Sequence, residues 1–559
     1  VARGYNRAMA LRIFVPLIAA PFLGAPVEGA CQGDTSRPLN VLWLTVEDMS
    51  PWIGPYGDET VPTPRLDAFA AESLRYDNAF ACSPVCSPAR TAILTGIEPP
   101  RMGAMHMRVR SRSKAAGDEA YAGIPLYEAV PPAFVEPFPR ALRRAGWYAT
   151  NHAKTDYQFK APADTWDASS GKAEYTNRPD GAPFFAVYNH TGTHESQAFP
   201  SARRRASAVS LEDVPVPPIY PDTPAVRDAM KRTYDNIAAM DRWFGAQLDR
   251  LEESGLADST VVFFFSDHGV GLPRGKRSLY GTGTRVPLLV RFPAGQWPAG
   301  IGPGTSTERL VSFVDFGPTV LSLAGIQPDE RLDGRAFLGE HEAAPRDTVF
   351  FHADRFDAAR DRARGATDGR YLVIHNLLPD VPHLIPNAYR ERLPMTAELY
   401  ALRDGGAASW TRTPAQWQVG SSRRPEFEWY DSLRDPWEVR NLAGEQDLPG
   451  DGAERLIRLD AMIAARRLGA AVDLGLIEDE AAMVAEHLWP PDGAQPTTAA
   501  PTLGRDGRLS CRTEGGLIAV RVDGVWRPYD GAPVPRGEEL ETRAHRVGFR
   551  PSAVVTLRP

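Results

Sequence analysis

Cysteine is scarce in this chain of 559 residues. There are four, and two of them, Cys82 and Cys86, sit with three residues between them in "ACSPVCSPARTAILTG". In an exported protein a disulfide is the default. If Cys86 opens a helix, however, the pair could hardly reach the Cα separation of a disulfide without distortion. A zinc pair needs further ligands at suitable spacing, and neither Cys31 nor Cys511 is placed to supply them. Disulfide, metal pair, or one reagent beside a bystander all stay open on these residues alone. Strong net charge is missing too. With 63 Lys and Arg against 70 Asp and Glu the balance is -7, which gives no general preference for nucleic acid or anionic membranes. The basic runs at Arg203-Arg204-Arg205 and from Arg108 to Lys114 read as solvated faces. Long apolar runs are absent after the N-terminus, so no transmembrane anchor is expected.

The N-terminus itself is distinctive. Arg3, Arg7 and Arg12 precede "IFVPLIAAPFLGAPV", and Gly29-Ala30 follow. A positive flank, a short apolar run and a small-residue exit predict a secretory signal over residues 1–30, and with it a periplasmic or secreted protein. The apolar run is too short to span a bilayer comfortably. Cys31 raises lipid attachment, but Glu28 occupies a position normally filled by an apolar residue.

From about Asn40 to Phe292 strand and helix alternate, within a domain expected over residues 38–350. "NVLWLTV" is nearly continuous in apolar residues, as a strand buried on both faces should be. "TPRLDAFAAES" reads as a helix, and "PFFAVYN", "STVVFFFS" and "VPLLVRF" as later strands. A long amphipathic helix with Met230, Tyr234, Ile237, Phe244, Leu248 and Leu251 on one stripe ends at Gly255. The pattern predicts an α/β domain with a largely parallel central sheet. Residues 351–488 read as a smaller C-terminal subdomain, in which "YLVIHNLL" is a strand and "EWYDSLRDPWEVRNLA" a hairpin followed by a helix start. "WPPDGAQPTTAAPTLG" (489–504) has the composition of a linker, and residues 505–559 that of a small all-β sandwich module.

In a parallel α/β sheet, chemistry gathers in loops beyond the carboxyl ends of strands. Glu47 and Asp48 follow the first strand, and Asp267 and His268 follow "VVFFFS". Two such loops side by side would make an oxygen-rich pocket for a hard divalent cation. The competing reading is that each acid caps a turn or a helix.

Cys86-Ser87-Pro88-Ala89-Arg90 has the form C-x-P-x-R, which Cys82 lacks. Together with "ILTG" it resembles the modification signature of the formylglycine-dependent sulfatases. "NVLWLTVEDMS", "SDHG", "GKRSLYGTGTRVPLLVRFP" and "EWYDSLRDPWEVRNLA" resemble further segments of that family, in order, over roughly residues 38–470. "MHMR" (105–108) and "NHAKTDY" (151–157) look closest to bacterial relatives of heparan N-sulfatases. The tail from about residue 505 is similar to the β module of chitobiase and hexosaminidase C-termini. The resemblance implies an alkaline-phosphatase-like α/β fold with a smaller α+β subdomain and a terminal all-β module.

It also implies roles. Cys86 would be oxidised to formylglycine by a formylglycine-generating or equivalent maturation enzyme, leaving Cys82 a small buried residue. The hydrated aldehyde would attack sulfur with one hydroxyl and expel sulfate by means of the other. Glu47, Asp48, Asp267 and His268, with residue 86, would hold one divalent cation, calcium by family. Arg90 would orient the formylglycine, Lys154 and Lys276 would neutralise sulfate oxygens, and His194 would protonate the departing group. His106 and Arg108 would touch substrate, a sulfated carbohydrate. The chain departs from the family in having Glu47 where aspartate is usual, His268 where asparagine is common, and Asp156 where a histidine often follows the lysine; His152 is a candidate substitute. The competing functions are a phosphonate or phosphate monoester hydrolase of the same superfamily and an inactive glycan-binding relative. The complete set from Glu47 to Lys276 argues against the latter.

Overall fold

The computed structural model describes residues 39–405, 414–445, 448, 450–468, 473–537 and 539–558. The signal expected over residues 1–30 lies outside them. Strand β1 (Asn40–Val46) is buried at every position, and its side chains divide by the two-residue period of a strand. Val41 and Trp43 join one core cluster, while Leu42, Leu44 and Val46 join the other. Phe263 and Phe265 share the first cluster, and Val262 and Phe264 the second. The "nearly all apolar" strands are thus two half-strands, each serving its own layer of helices.

Seven further strands complete this sheet: β2 (Leu74–Phe80), β3 (Tyr148–His152), β4 (Ala168–Ser170), β5 (Phe184–His190), β6 (Thr260–Ser266), β7 (Arg285–Arg291) and β8 (Ser306–Ser312). Their order is β4-β3-β5-β1-β6-β7-β2-β8. Only β7 runs against the rest, antiparallel to both β6 and β2. Helices α1 (Pro64–Ala71) and α4 (Pro224–Glu253) cover one face, and α2 (Cys86–Thr95), α3 (Phe138–Arg144) and α5 (Phe316–Leu323) the other. The expected stripe of α4 is buried throughout. Gly255 closes that helix in the left-handed region, φ 69°, which glycine enters at no steric cost.

The register of the middle strands places the chemistry. Val46 lies opposite His190 on one side and Ser266 on the other, so the loops leaving β1, β5 and β6 emerge together. His152 lies opposite Tyr188, which brings the loop after β3 to the same edge.

Residues 349–431 add a four-stranded antiparallel sheet, β9 (Val349–Ala353), β10 (Ala363–Thr367), β11 (Tyr371–Asn376) and β12 (Phe427–Asp431). Helix α6 (Gly452–Leu468) packs Leu456, Leu459 and Ile463 against Tyr371 and Val373 of β11. The hairpin and helix start expected in "EWYDSLRDPWEVRNLA" are not there. Among the described residues β12 pairs with β11 alone, and the residues that follow it form turns. The Asp435 carboxylate accepts from the N–H groups of Val439 and Arg440, both at 2.8 Å, a side-chain bond that competes with a helix.

The C-terminal residues form a two-stranded ribbon and a four-stranded antiparallel sheet, all-β as expected. The stretch expected as a linker is anchored at its start. Trp489 is buried with Met105, Val109 and Tyr127, and its indole N–H donates to Gly548 O at 3.0 Å. Val547 sits in the main core cluster itself.

Candidate active site

Helix α2 begins at Cys86, and all ten of its residues are buried. Four residues on, the same helical face carries Arg90. Its Nε donates to Asp267 Oδ2 at 3.0 Å and its Nη1 to Asn189 Oδ1 at 2.6 Å. One arginine thereby ties α2 to the ends of β6 and β5. The two cysteines part company here. Cys82 packs into the main core with Trp43, while Cys86 belongs to a separate cluster with Met107 and Tyr280. Both are free thiols. Burial pushes the Cys82 thiol far up. At Cys86 burial also acts upward, but the ammonium groups of Lys154 and Lys276 outweigh it and bring the thiol down to about 6.

Ligand-type atoms converge on Cys86. Its Sγ lies 3.3 Å from His268 Nε2 and 3.6 Å from Lys276 Nζ. Glu47, Asp48, Cys86 and His194 form one group of donor atoms within 4.8 Å of one another, and Cys86, Asp267 and His268 a second. Lys276 Nζ donates to both Asp48 oxygens, at 3.0 and 2.9 Å, and lies 3.0 Å from Glu195 Oε1. Lys154 Nζ stands 2.9 Å from Glu47 Oε2. Burial disfavours protonated His268, but Asp267 and Asp48 carry its pKa up to about 10.

The protons on both rings follow from their neighbours. His268 Nδ1 lies 2.9 Å from Gly269 O and Nε2 3.0 Å from Asp48 Oδ1; both oxygens only accept, so both ring nitrogens donate, and Nε2 would give up its proton to turn a lone pair to a cation. His194 Nδ1 lies 2.9 Å from Ser196 Oγ and Nε2 3.3 Å from Lys276 Nζ. Burial and the Lys276 ammonium work against a charged ring, but Asp48 and Cys86 outweigh them and raise its pKa.

The backbone here is bent to suit. Asp48 (φ 51°), Asp156 (φ 54°) and Arg277 (φ 77°) all occupy the left-handed region, an uncommon and strained choice for residues with a Cβ, found disproportionately at functional sites. In that conformation the Asp48 N–H reaches Asp267 Oδ1 at 3.2 Å, locking the β1 and β6 loops together. Gly271 has no room for a side chain: a Cβ would stand 2.8 Å from Asp48 Oδ2.

A divalent cation fits these residues. Three buried carboxylates, one imidazole nitrogen and residue 86 share the space, and Glu47 Oε1 is buried without a hydrogen-bond partner, as is Arg90 Nη2, 3.8 Å away. A buried carboxylate oxygen with no donor is costly, and a cation would answer it. The set is predominantly hard oxygen, as suits calcium or magnesium, with one nitrogen that also admits other metals.

The structure thus brings together Glu47, Asp48, Cys86, Arg90, Lys154, His194, Asp267, His268 and Lys276. It does not bring His106 to them. That ring is buried, accepts from the Arg355 N–H at 3.2 Å and lies 3.7 Å from Glu480. Burial and the neighbouring arginines Arg355 and Arg364 hold its pKa well below the usual value. A neutral, enclosed ring does not face the Cys86 site; it is put forward by the resemblance of "MHMR" to the family motif. Arg108, two residues on, is half-buried at the rim and donates to Asp357 at 2.8 Å. His152 stacks on Tyr188, ring centroids 5.2 Å apart, instead of facing Cys86. Sequence reasoning missed Asn189, Glu195, Arg277 and Asp357. Glu195 accepts a two-pronged bond from Arg277, both contacts 2.9 Å, and both residues adjoin singled-out ones, His194 and Lys276. Asp357 comes from the subdomain after β9 and carries no local signal.

Comparison with known proteins settles the family. Residues 39–326 match the sulfatase family model, and residues 273–381 the model of the N-sulphoglucosamine sulphohydrolase C-terminal region. The chain belongs to the sulfatase family. This sulfatase is 37% identical to an ulvan-active sulfatase of Formosa agariphila, over 93% of this chain and 91% of the relative. It is 27% identical to human N-sulphoglucosamine sulphohydrolase, covering 75% of this chain and 88% of that one. Among solved structures, one bound to its substrate D-glucosamine-2-N,6-O-disulfate superposes with a TM-score of 0.51 at 17% identity, covering 78% of this chain and 99% of that one. That likeness concerns the fold. As a sulfatase the chain is a sulfuric ester hydrolase, and membership implies a metal ion and a formylglycine.

Proposed function

We propose that the chain is an exported sulfatase that hydrolyses sulfate esters or sulfamates of carbohydrates, with Cys86 matured to formylglycine. The observation that carries this reading is the setting of Cys86: the first residue of a buried helix, within reach of His268 and Lys276 and of the carboxylates a cation would bridge. Export is supported by the basic and apolar pattern of residues 1–30. The carbohydrate class is supported by relatives named for ulvan and for N-sulphoglucosamine.

Glu47, Asp48, Asp267 and His268 would hold the cation, with calcium the ion that suits the three carboxylates. When bound, the cation would acidify one hydroxyl of the hydrated aldehyde at residue 86 as nucleophile, leaving the second to release sulfate. Arg90, pinned between Asp267 and Asn189, fixes the first turn of α2 and so the position of residue 86. Lys154 and Lys276 place two ammonium groups where charge grows on the sulfate oxygens. His194, whose pKa Asp48 and Cys86 raise against burial and Lys276, holds a proton that it can pass to a departing sugar oxygen or nitrogen. Arg108, held by Asp357, stands at the rim where it can meet the sugar.

The test is chemical. Protein co-expressed with a formylglycine-generating enzyme should yield a peptide carrying the aldehyde at position 86, and should cleave nitrophenyl sulfate in preference to nitrophenyl phosphate. Fully active protein whose Cys86 is entirely unmodified would sink the mechanism. A preference for phosphate or phosphonate esters would transfer the site to the superfamily's other reaction.

A further inference from the structure

The Arg203-Arg204-Arg205 run is used by nothing above, and its setting is not a flat solvated face. Together with Gln197, Lys231 and Arg232 it lines a cavity of about 150 Å³. The acids nearby are already committed. Asp235, also on the cavity wall, pairs with Lys231 at 2.7 Å, and Asp228 pairs with Arg232 at 2.7 Å and meets Arg204 at 3.4 Å. Five cationic side chains therefore face two carboxylates. Among the described residues, neither Arg203 nor Arg205 has an ion-pair partner, and both are exposed. A concave site with uncompensated cations concentrates anions, and guanidinium groups match the paired oxygens of sulfate and carboxylate.

The cavity adjoins the Cys86 site along the chain and through packing. Gln197 lies on the 3-10 turn that begins at His194, and its N–H donates to His194 O at 2.8 Å. Arg232 donates to Phe199 O at 3.3 Å, and the Phe199 ring meets Tyr389, which in turn lies against His194. The cavity is walled by none of the residues around Cys86 and connects to them through the His194 turn and the Phe199–Tyr389 pair, a placement that suits an adjacent sugar of the same chain.

We propose that this cavity is a second anion subsite, which holds a sulfate or carboxylate of a neighbouring sugar while the scissile sulfate lies at residue 86. The proposal rests on the sulfatase reading of the Cys86 site, and it names anionic oligosaccharides, not single sulfated sugars, as the preferred substrate class.

The experiment measures binding without turnover, by calorimetric titration of the full-length Cys86→Ala protein with a sulfated, uronate-containing tetrasaccharide. Adding Arg203→Ala and Arg205→Ala should weaken binding about tenfold, the loss of one to two charge-assisted hydrogen bonds. The gap should narrow as salt is raised. Arg505→Ala with Arg527→Ala, two exposed arginines of the C-terminal residues with the same change in charge, should leave affinity as it was. If the gap survives carboxyl reduction of the tetrasaccharide but closes on desulfation, the bound anion is a sulfate; the reverse pattern makes it a carboxylate. Unchanged affinity in the Arg203/Arg205 variant, or an equal loss in the control pair, overturns the subsite. Neither result touches the sulfatase reading, which stands or falls on turnover of aryl sulfate by protein with residue 86 intact.

Discussion

Two regions of this molecule bury charge heavily, and they do so in opposite ways. Beneath the C-terminal sheet, Arg140 donates to Asp164 at 2.9 and 2.6 Å, to Glu136 at 2.9 Å and to Ile518 O at 3.1 Å. Arg143 next to it bonds Asp167 and Trp526 O. Every donor nitrogen of Arg140 has a partner. At the strand ends around Cys86 the charges are as deep, yet Glu47 Oε1 and Arg90 Nη2 lack hydrogen bonds, and the backbone at Asp48 is left-handed. Buried charge by itself marks nothing. Unfinished bonding on a strained backbone is what separates a site awaiting a ligand from a clamp that holds two layers together.

The sharpest way to break this comparison is at the two cysteines. Cys86→Ala should abolish sulfatase activity in a protein that still folds. Cys82→Ala, four residues earlier in the same sequence pattern, should keep activity at a stability cost of about 1 kcal/mol. Activity surviving in the former, or vanishing in a folded form of the latter, would invert the assignment of reagent and bystander.

The carboxylates carry the next contrast. Asp48→Asn and Asp267→Asn should lose bound metal, measured by elemental analysis, and with it activity, and chelation of the parent protein should do the same. Asp164→Asn should retain metal and activity in whatever fraction folds, while destabilising the chain by about 3–5 kcal/mol, because Arg140 would be left without its main counter-charge. A metal-free preparation of full activity would refute the site. Reconstitution in which manganese or zinc outperforms calcium would overturn the choice of ion and keep the ligands.

His194 offers a smaller and more selective effect. A sugar alkoxide is a poor leaving group and needs a proton in the transition state, whereas nitrophenolate departs without one. His194→Ala should therefore cost about 10²–10⁴-fold on a sulfated sugar and far less on nitrophenyl sulfate. Equal losses on both would make the ring a sulfate ligand or a loop brace.

How much of this was legible follows from where each residue's partners lie in the chain. β1, β5 and β6 announce themselves because strands covered on both faces must be apolar throughout. Knowing that parallel strands end together was enough to pair Glu47-Asp48 with Asp267-His268 before any register was available. β2 and β3 were not readable, since "LRYDNAF" and "YATNH" mix polar residues into strands nearer the sheet's margins. Arg90 was legible from C-x-P-x-R, but its partner Asn189 was not, because a lone asparagine closing a strand has no pattern. His106 shows the converse error. A motif transferred residue by residue says which positions matter, while only packing says which way a side chain points, and this one points toward Arg355 and Glu480.

The last contrast tests the segment that composition misjudged. Pro, Thr, Ala and Gly in residues 489–504 suggest a chain that merely connects, and a connector tolerates substitution. Trp489 instead fills the cluster of Met105, Val109, Tyr127 and Leu488, and its N–H reaches across to Gly548 O. The same strip carries Val547 into the main core, so the C-terminal sheet is held by apolar burial as well as by the arginine clamp. Trp489→Ala should cost about 3–5 kcal/mol, as large-to-small changes in cores do. Trp489→Phe keeps most of the volume and deletes only the hydrogen bond, so it should cost about 1 kcal/mol. Neither change touches the strand-end loops, and kcat/KM on nitrophenyl sulfate for the folded fraction should stay at the parent value. A neutral Trp489→Ala in thermal unfolding would return the segment to the role of a linker, and a loss of turnover without loss of stability would show that the clamp and the catalytic edge are coupled.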